Sequence, residues 1–145
     1  SGCLYIIIRT AWLYSGYGHN FVKTISRLAS ERDELNVVSD QWGTPTYAGD
    51  LAEAIISIME RDDLPELEGV YHFTNEGACT WYDFAKEIVA LTGANCKVNP
   101  VTTEEYPSKV KRPAYSILDK TKIKETFNLE IRDWREALKS CMATF

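Results

Sequence analysis

Apolar residues along the chain follow two rhythms. Leu4-Tyr5-Ile6-Ile7-Ile8 and Val70-Tyr71-His72-Phe73 are short, nearly unbroken apolar runs. Such runs are normal for strands covered on both faces of a parallel sheet. Val37-Val38 is a shorter strand-like pair, and Lys97 to Val101 reads as an edge strand. Elsewhere apolar residues return every three or four positions, the period of an amphipathic helix. Phe21, Ile25, Leu28 and Ala29 mark a helix over roughly 20–32, which Asn20 can cap. Leu51, Ala54, Ile55, Ile58 and Met59 mark a second over about 48–60, ended by Asp62-Asp63-Leu64-Pro65. Thr80 caps a third, with Trp81, Phe84, Ala85 and Ile88 inward, Asp83 in the first turn and Gly93 as its stop. Two short helices, about 119–127 and 133–142, close the chain, and the last turns Trp134, Ala137, Leu138, Cys141 and Met142 inward. Gln41 to Thr46 reads as a turn-rich loop, and 102–116 as irregular around Pro107 and Pro113.

Helices therefore alternate with two buried strands, too few for a full doubly wound sheet. The plain reading is an α+β domain. The sharper reading is an α/β chain, a small substrate domain that carries the last strands of a dinucleotide-binding sheet. A buried strand that begins almost at residue 1, with no helix ahead of it, looks like a cut through a larger α/β protein. The pattern shows no internal repeat, low-complexity segment or linker.

With 145 residues, 45% hydrophobic and 26% charged, the chain can build one real core and is not a disordered segment. A net charge of -5 with no Lys/Arg-rich run argues against nucleic-acid partners, while leaving room for one basic pocket that holds a phosphate. Cys3, Cys79, Cys96 and Cys141 form no CxxC pair, and His19 and His72 are the only histidines. Neither a zinc site nor a disulfide framework is expected, and isolated thiols suit a reducing, cytoplasmic setting. No apolar stretch has the length of a membrane span or of a signal-peptide core, so no membrane partner is expected.

Several catalytic look-alikes fail in context. Tyr82 and Lys86 have the Tyr-x-x-x-Lys spacing in which a lysine tunes a phenol for proton exchange. Yet Thr80 puts Tyr82 in the first turn of a helix whose inward face is already filled, so a surface pair is expected. Gly16-Tyr17-Gly18 lacks the third glycine of a dinucleotide fingerprint and reads as a flexible loop. His19 and His72 have no serine or aspartate partner in sight, and Glu104-Glu105 is a solvated acidic pair. Two features survive. Arg9-Thr10-Ala11-Trp12-Leu13-Tyr14 lies at the C-terminal end of a buried strand, where open α/β sheets bind ligands, and Trp12 offers a large flat face that could equally be core. In Lys111-Arg112-Pro113 the proline stiffens the loop, and Arg112 can present a two-pronged fork to a phosphate or simply point to solvent.

These residues resemble the dTDP-4-dehydrorhamnose reductase family of extended short-chain dehydrogenases. The resemblance rests on RTAWLYS (9–15), NFVKT (20–24), ERDEL (31–35), DQWGTPTYAGDLA (40–52), GVYHFTNEG (69–77), TWYDFAKEI (80–88) and KRPAYSILDKTKI (111–123). It implies that residues 1–145 are the C-terminal substrate-binding region of a larger NAD(P)-binding protein whose N-terminal Rossmann half is absent. The implied reaction of the parent is reduction of dTDP-4-dehydro-L-rhamnose by NADPH or NADH to dTDP-L-rhamnose, a precursor of surface polysaccharide. By the same resemblance the substrate residues are Trp12 for the sugar and Arg112 for the diphosphate, with Asn20 and Gln41 along the nucleotide cleft. Thr10 and Ala11 would lie beside the nicotinamide. The family's glycine-rich phosphate loop, catalytic Thr and Tyr-x-x-x-Lys pair precede RTAWLY and have no counterpart in this sequence. No catalytic residue or metal is therefore assigned, tight cofactor binding is not expected, and the chain alone should be inactive. A homo-oligomer is compatible with the resemblance. Two alternatives stay open: a non-catalytic relative of the methionine adenosyltransferase regulatory type, and another nucleotide-sugar epimerase or dehydratase.

Overall fold

Eight short strands, five α-helices and one short 3-10 turn (Leu64–Glu66) are laid out by the computed structural model, which describes residues 3–105 and 112–145. In chain order the strands and α-helices are β1 (Ile6–Arg9), β2 (Leu13–Tyr14), α1 (Phe21–Glu31), β3 (Glu34–Val38), β4 (Trp42–Gly43), β5 (Thr46–Tyr47), α2 (Ala48–Met59), β6 (Gly69–His72), β7 (Cys79–Thr80), α3 (Trp81–Thr92), β8 (Lys97–Val101), α4 (Thr121–Phe127) and α5 (Trp134–Met142). Three strand pairs are parallel: β1 with β6, β2 with β5, and β3 with β8. The fourth, β4 with β7, is antiparallel. Each parallel pair is joined through at least one helix, as parallel connection requires.

The helices begin where the side chains can satisfy their free N–H groups. Asn20 accepts a hydrogen bond from the Lys23 N–H at 3.1 Å. Thr80 and Asp83 form a reciprocal capping box, at 3.1 and 3.0 Å. Gly93 ends α3 at φ 71, a left-handed value that a side chain would resist. Asp133 caps α5 through the Arg135 N–H at 2.9 Å.

Two apolar cores result. The first gathers Val22 and Ile25 from α1, Leu35 and Val37 from β3, Phe84 and Ile88 from α3, and Trp134 and Leu138 from α5. The second gathers Ala54 and Ile58 from α2, Tyr71 and Phe73 around β6, and Ile123 and Phe127 from α4, with Ile6 and Ile8 leaning on it.

The first strand departs from its pattern. It runs Ile6–Arg9 and alternates, with Ile6 and Ile8 half-buried and Ile7 47% exposed; Leu4 and Tyr5 are also exposed. Among the described residues β1 has one sheet neighbour, β6, and Ile7 on its outer face stays about half exposed. α2 departs in the same way. Ala54 and Ile58 are buried, but Ile55 is exposed and Met59 is 69% exposed. Each sits one residue, about 100° of helix, beyond the buried pair and so turns away from the core. The loop expected over 41–46 holds β4 and the first residue of β5, strands whose partners lie far along the chain. Lys111, Pro107 and part of the irregular 102–116 stretch fall outside the described residues.

Candidate ligand-binding site

Between β1 and β2 the backbone turns sharply at Trp12, whose φ is 51. A bulky residue in this left-handed region costs on the order of 1–2 kcal/mol, so other contacts must hold it there. Thr46 does so twice. Its hydroxyl donates to the Ala11 carbonyl at 2.7 Å, and its N–H donates to the Trp12 carbonyl at 3.0 Å. The Trp12 indole then lies on Trp81, with ring centroids 3.6 Å apart and planes 18° from parallel. On another side Gly43 leaves room for the ring, because a Cβ there would come within 2.6 Å of it.

A strap closes the site. The Trp42 N–H donates to the Ala114 carbonyl at 2.8 Å, and the Ser116 N–H donates to the Trp42 carbonyl at 2.9 Å. Pinning 114–116 beside β4 sets Arg112-Pro113 at the rim of a cavity of about 380 Å³. Ala11, Trp12, Gln41, Trp81, Arg112, Pro113 and Ser116 line it. Among the described lining residues there is no carboxylate, and Arg112 carries the one formal charge. The cavity therefore combines flat indole surface, an amide, a hydroxyl and an exposed guanidinium. That set suits a ligand with a sugar-like body and an anionic end.

Gln41 is buried, 8% exposed, and its amide donates to the Thr103 hydroxyl at 3.2 Å. Thr103 in turn donates to Asp40 from its hydroxyl at 2.6 Å and from its N–H at 3.0 Å. These hydrogen bonds, the hydroxyl's first, hold the Asp40 carboxyl below its ordinary value of 3.8. The Gln41 side chain is thus fixed rather than swinging freely at the cavity wall.

The structure brings together Ala11, Trp12, Gln41 and Arg112. Thr10 sits just behind, past the end of β1, and its Oγ1 is buried without a hydrogen-bond partner. Asn20 does not line the cavity. Its carbonyl caps α1 and its amide donates to the Ser15 carbonyl at 2.8 Å, so both ends are occupied. Of the expected surface pair on α3, Lys86 is exposed but Tyr82 is half-buried against the first core, with the ammonium 5.1 Å from its ring centroid. Among the described residues no group of His, Cys, Asp and Glu could hold a metal ion, and no helix is long and apolar enough to cross a membrane.

Sequence reasoning missed a buried polar junction that supports this site. Asn75 is fully buried. Its carbonyl accepts the Tyr47 N–H at 2.8 Å, and its amide donates to Asp50 at 2.7 Å. Arg132 grips the same carboxylate with two hydrogen bonds, at 2.9 and 2.8 Å, and donates a third to Ser140 at 2.7 Å. The Thr44 hydroxyl donates to the Gly77 carbonyl at 2.6 Å. The stretch 44–50 is thereby tied to the turn after β6 and to the approach of α5, and Thr46 is held against Trp12. No local spacing could pair Asp50 with Arg132, which lie far apart in sequence. Trp81 was legible only as an inward helix residue.

Two other cavities have the wrong character for an anionic ligand. One of about 590 Å³ carries Asp50, Glu53 and Glu130 against Arg132, whose fork is already engaged. Another of about 460 Å³ is lined by Leu4, Tyr5, Ile8, Ile55 and Met59 among others, all apolar or aromatic.

Comparison with known proteins places the chain among its relatives. The model of one family, described as the RmlD substrate binding domain, matches residues 1–145. A dTDP-4-dehydrorhamnose reductase of Aggregatibacter actinomycetemcomitans is 47% identical over 146 residues, covering 95% of this chain and 50% of the relative. A crystal structure of dTDP-4-dehydrorhamnose reductase from Bacillus anthracis in complex with NADP superposes with a TM-score of 0.90 at 40% identity, covering 97% of this chain and 49% of that one. A dTDP-glucose 4,6-dehydratase from Bacillus anthracis, 17% identical with a TM-score of 0.71 and coverage of 95% and 43%, shares the fold alone. The chain spans about half the length of the curated relatives it matches.

Proposed function

This chain belongs to the RmlD substrate binding domain family, and from that premise we propose that it is the nucleotide-sugar-binding part of an NADPH-dependent dTDP-4-dehydro-L-rhamnose reductase. The observation that carries the reading is the convergence of Ala11, Trp12, Gln41 and Arg112 on one cavity from three separate stretches of chain. In this reading the Arg112 fork takes the diphosphate, where a charge-assisted bidentate contact gives both strength and orientation. The Trp12 indole packs against the sugar, and the tethered Gln41 amide fixes its direction. Proton donor and cofactor phosphate loop belong to the remainder of the longer protein.

The residues present also fit the edge of a nicotinamide cofactor. The buried Thr10 hydroxyl, lacking a partner beside Ala11, is a hydrogen-bonding group available to a carboxamide. When bound, NADPH would supply hydride to the ketone carbon, and the alkoxide would take a proton to give the alcohol. The chain's own task is to hold the ketone in reach and to exclude water from it.

The test uses the full-length protein, NADPH and dTDP-4-dehydro-L-rhamnose, with loss of reduced-cofactor absorbance as the readout. Turnover that depends on the ketose is expected. Cofactor oxidation that is absent, or that proceeds equally without the ketose, overturns the reading.

A further inference from the structure

We propose that Trp81 is a positioning residue for the sugar site, acting through Trp12. The inference rests on the proposed nucleotide-sugar reading. Three observations converge on it. Trp12 holds a left-handed backbone at φ 51, which a large side chain does not adopt unless its surroundings impose it. Its ring is stacked on Trp81 at 3.6 Å, and among the described residues the next ring, Phe84, is 6.5 Å away. Gly43 meets the Cε2, Cζ2 and Nε1 side of the same ring and has no room for a Cβ.

The indole is thus set by a partner and a stop. Trp81 covers one face, Gly43 backs the nitrogen edge, and what remains of Trp12 faces the cavity that both indoles line. Trp81 is itself held in place. It is the first residue of α3, within the Thr80–Asp83 capping box, and Phe21 packs on it at 4.8 Å. A flat ring at position 81 therefore dictates where the Trp12 surface stands, while Arg112 is set by the backbone hydrogen bonds of 114–116 to Trp42 and not by the Trp81 ring. Loss of Trp81 should let Trp12 leave the left-handed conformation and should harm recognition of the sugar while sparing the diphosphate.

The full-length protein carrying Trp81→Leu, Trp81→Phe or Gly43→Ala separates the outcomes. Trp81→Leu keeps apolar volume but removes the flat partner. It should raise KM for the dTDP-ketose about tenfold, while the inhibition constant of dTDP stays within about twofold of wild type. Trp81→Phe should recover most of the loss. Gly43→Ala, pushing on the ring from the other side, should reproduce the Trp81→Leu pattern. The three-bond HN–Hα coupling and 13Cα shift of Trp12 should leave their left-handed values in the Leu and Ala variants only. If Trp81→Leu leaves KM unchanged, or if KM and the dTDP constant rise together without rescue by Phe, Trp81 is a packing residue and the inference falls. If Trp81→Leu does not fold, Phe and Gly43→Ala decide: a Gly43→Ala protein with unchanged KM overturns the inference. Failure of wild type to turn over the ketose would instead remove the underlying reading.

Discussion

Asn75 shows how much one buried amide can carry. It satisfies the Tyr47 N–H and the Asp50 carboxylate at once, and Asp50 is also held by the Arg132 fork. Asn75→Ala leaves a buried N–H without an acceptor and a carboxylate short of a donor. The expected cost is about 2–4 kcal/mol in urea unfolding, more than a neutral hydrogen bond alone would give. A loss below about 0.5 kcal/mol would show that water replaces the amide without penalty. At the surface, Asp40 offers a pH readout. Thr103 hydrogen bonds depress its carboxyl below 3.8 in the folded chain. A depressed carboxyl stabilises the fold above its unfolded value, and that contribution is lost as pH falls through the lower, folded one. The 102–105 turn should therefore loosen only in acid below about pH 4. In an NMR titration, Thr103→Val should move the Asp40 midpoint upward part of the way, because the hydroxyl is lost and the backbone N–H remains. An unmoved midpoint would contradict the assignment of cause.

Among the elements, helices were the most legible part of the sequence. α1, α3 and α5 lie within a residue or two of their periodic patterns, because caps such as Asn20, Thr80 and Asp133 are local signals. β4 and β5 were not legible. Each is two residues long and exists only through pairing with a distant stretch, Trp42 with Thr80 and Leu13 with Thr46. Ile55 and Met59 show the reverse error: helical spacing marks a stripe, but which edge of the stripe is covered depends on the neighbours. Asn20 gives a direct test at this scale. As an occupied cap it should cost about 1 kcal/mol of stability when changed to Ala. Binding of dTDP to the full-length protein should then stay unchanged; a clear loss of affinity with unchanged stability would return Asn20 to the nucleotide cleft. β1 supplies a second. It has a single neighbouring strand and a partly exposed outer face among the described residues. Its amides in this chain should exchange faster than those of α3, which buries Phe84, Ala85, Ile88 and Val89. Equal slow exchange in a dilute monomer would contradict a partly exposed strand.

At the scale of the whole molecule, two cores joined by the Asp50–Asn75–Arg132 junction present the cavity that we propose as the nucleotide-sugar site. The sequence pointed to Trp12, Gln41 and Arg112 through family resemblance. It could not show that they meet, since their convergence depends on the Trp42 pairing with the 114–116 strap. The central claim divides labour across that cavity: Arg112 for the diphosphate, Trp12 for the sugar. Calorimetry of dTDP and dTDP-L-rhamnose on the full-length protein and its Arg112→Ala and Trp12→Ala variants tests it most directly. Arg112→Ala should weaken both ligands by roughly 1.5–3 kcal/mol, since both carry the diphosphate. Trp12→Ala should leave dTDP nearly intact and weaken dTDP-L-rhamnose by roughly 1–3 kcal/mol. Unchanged dTDP affinity in Arg112→Ala, or equal loss of both ligands in Trp12→Ala, would contradict the division.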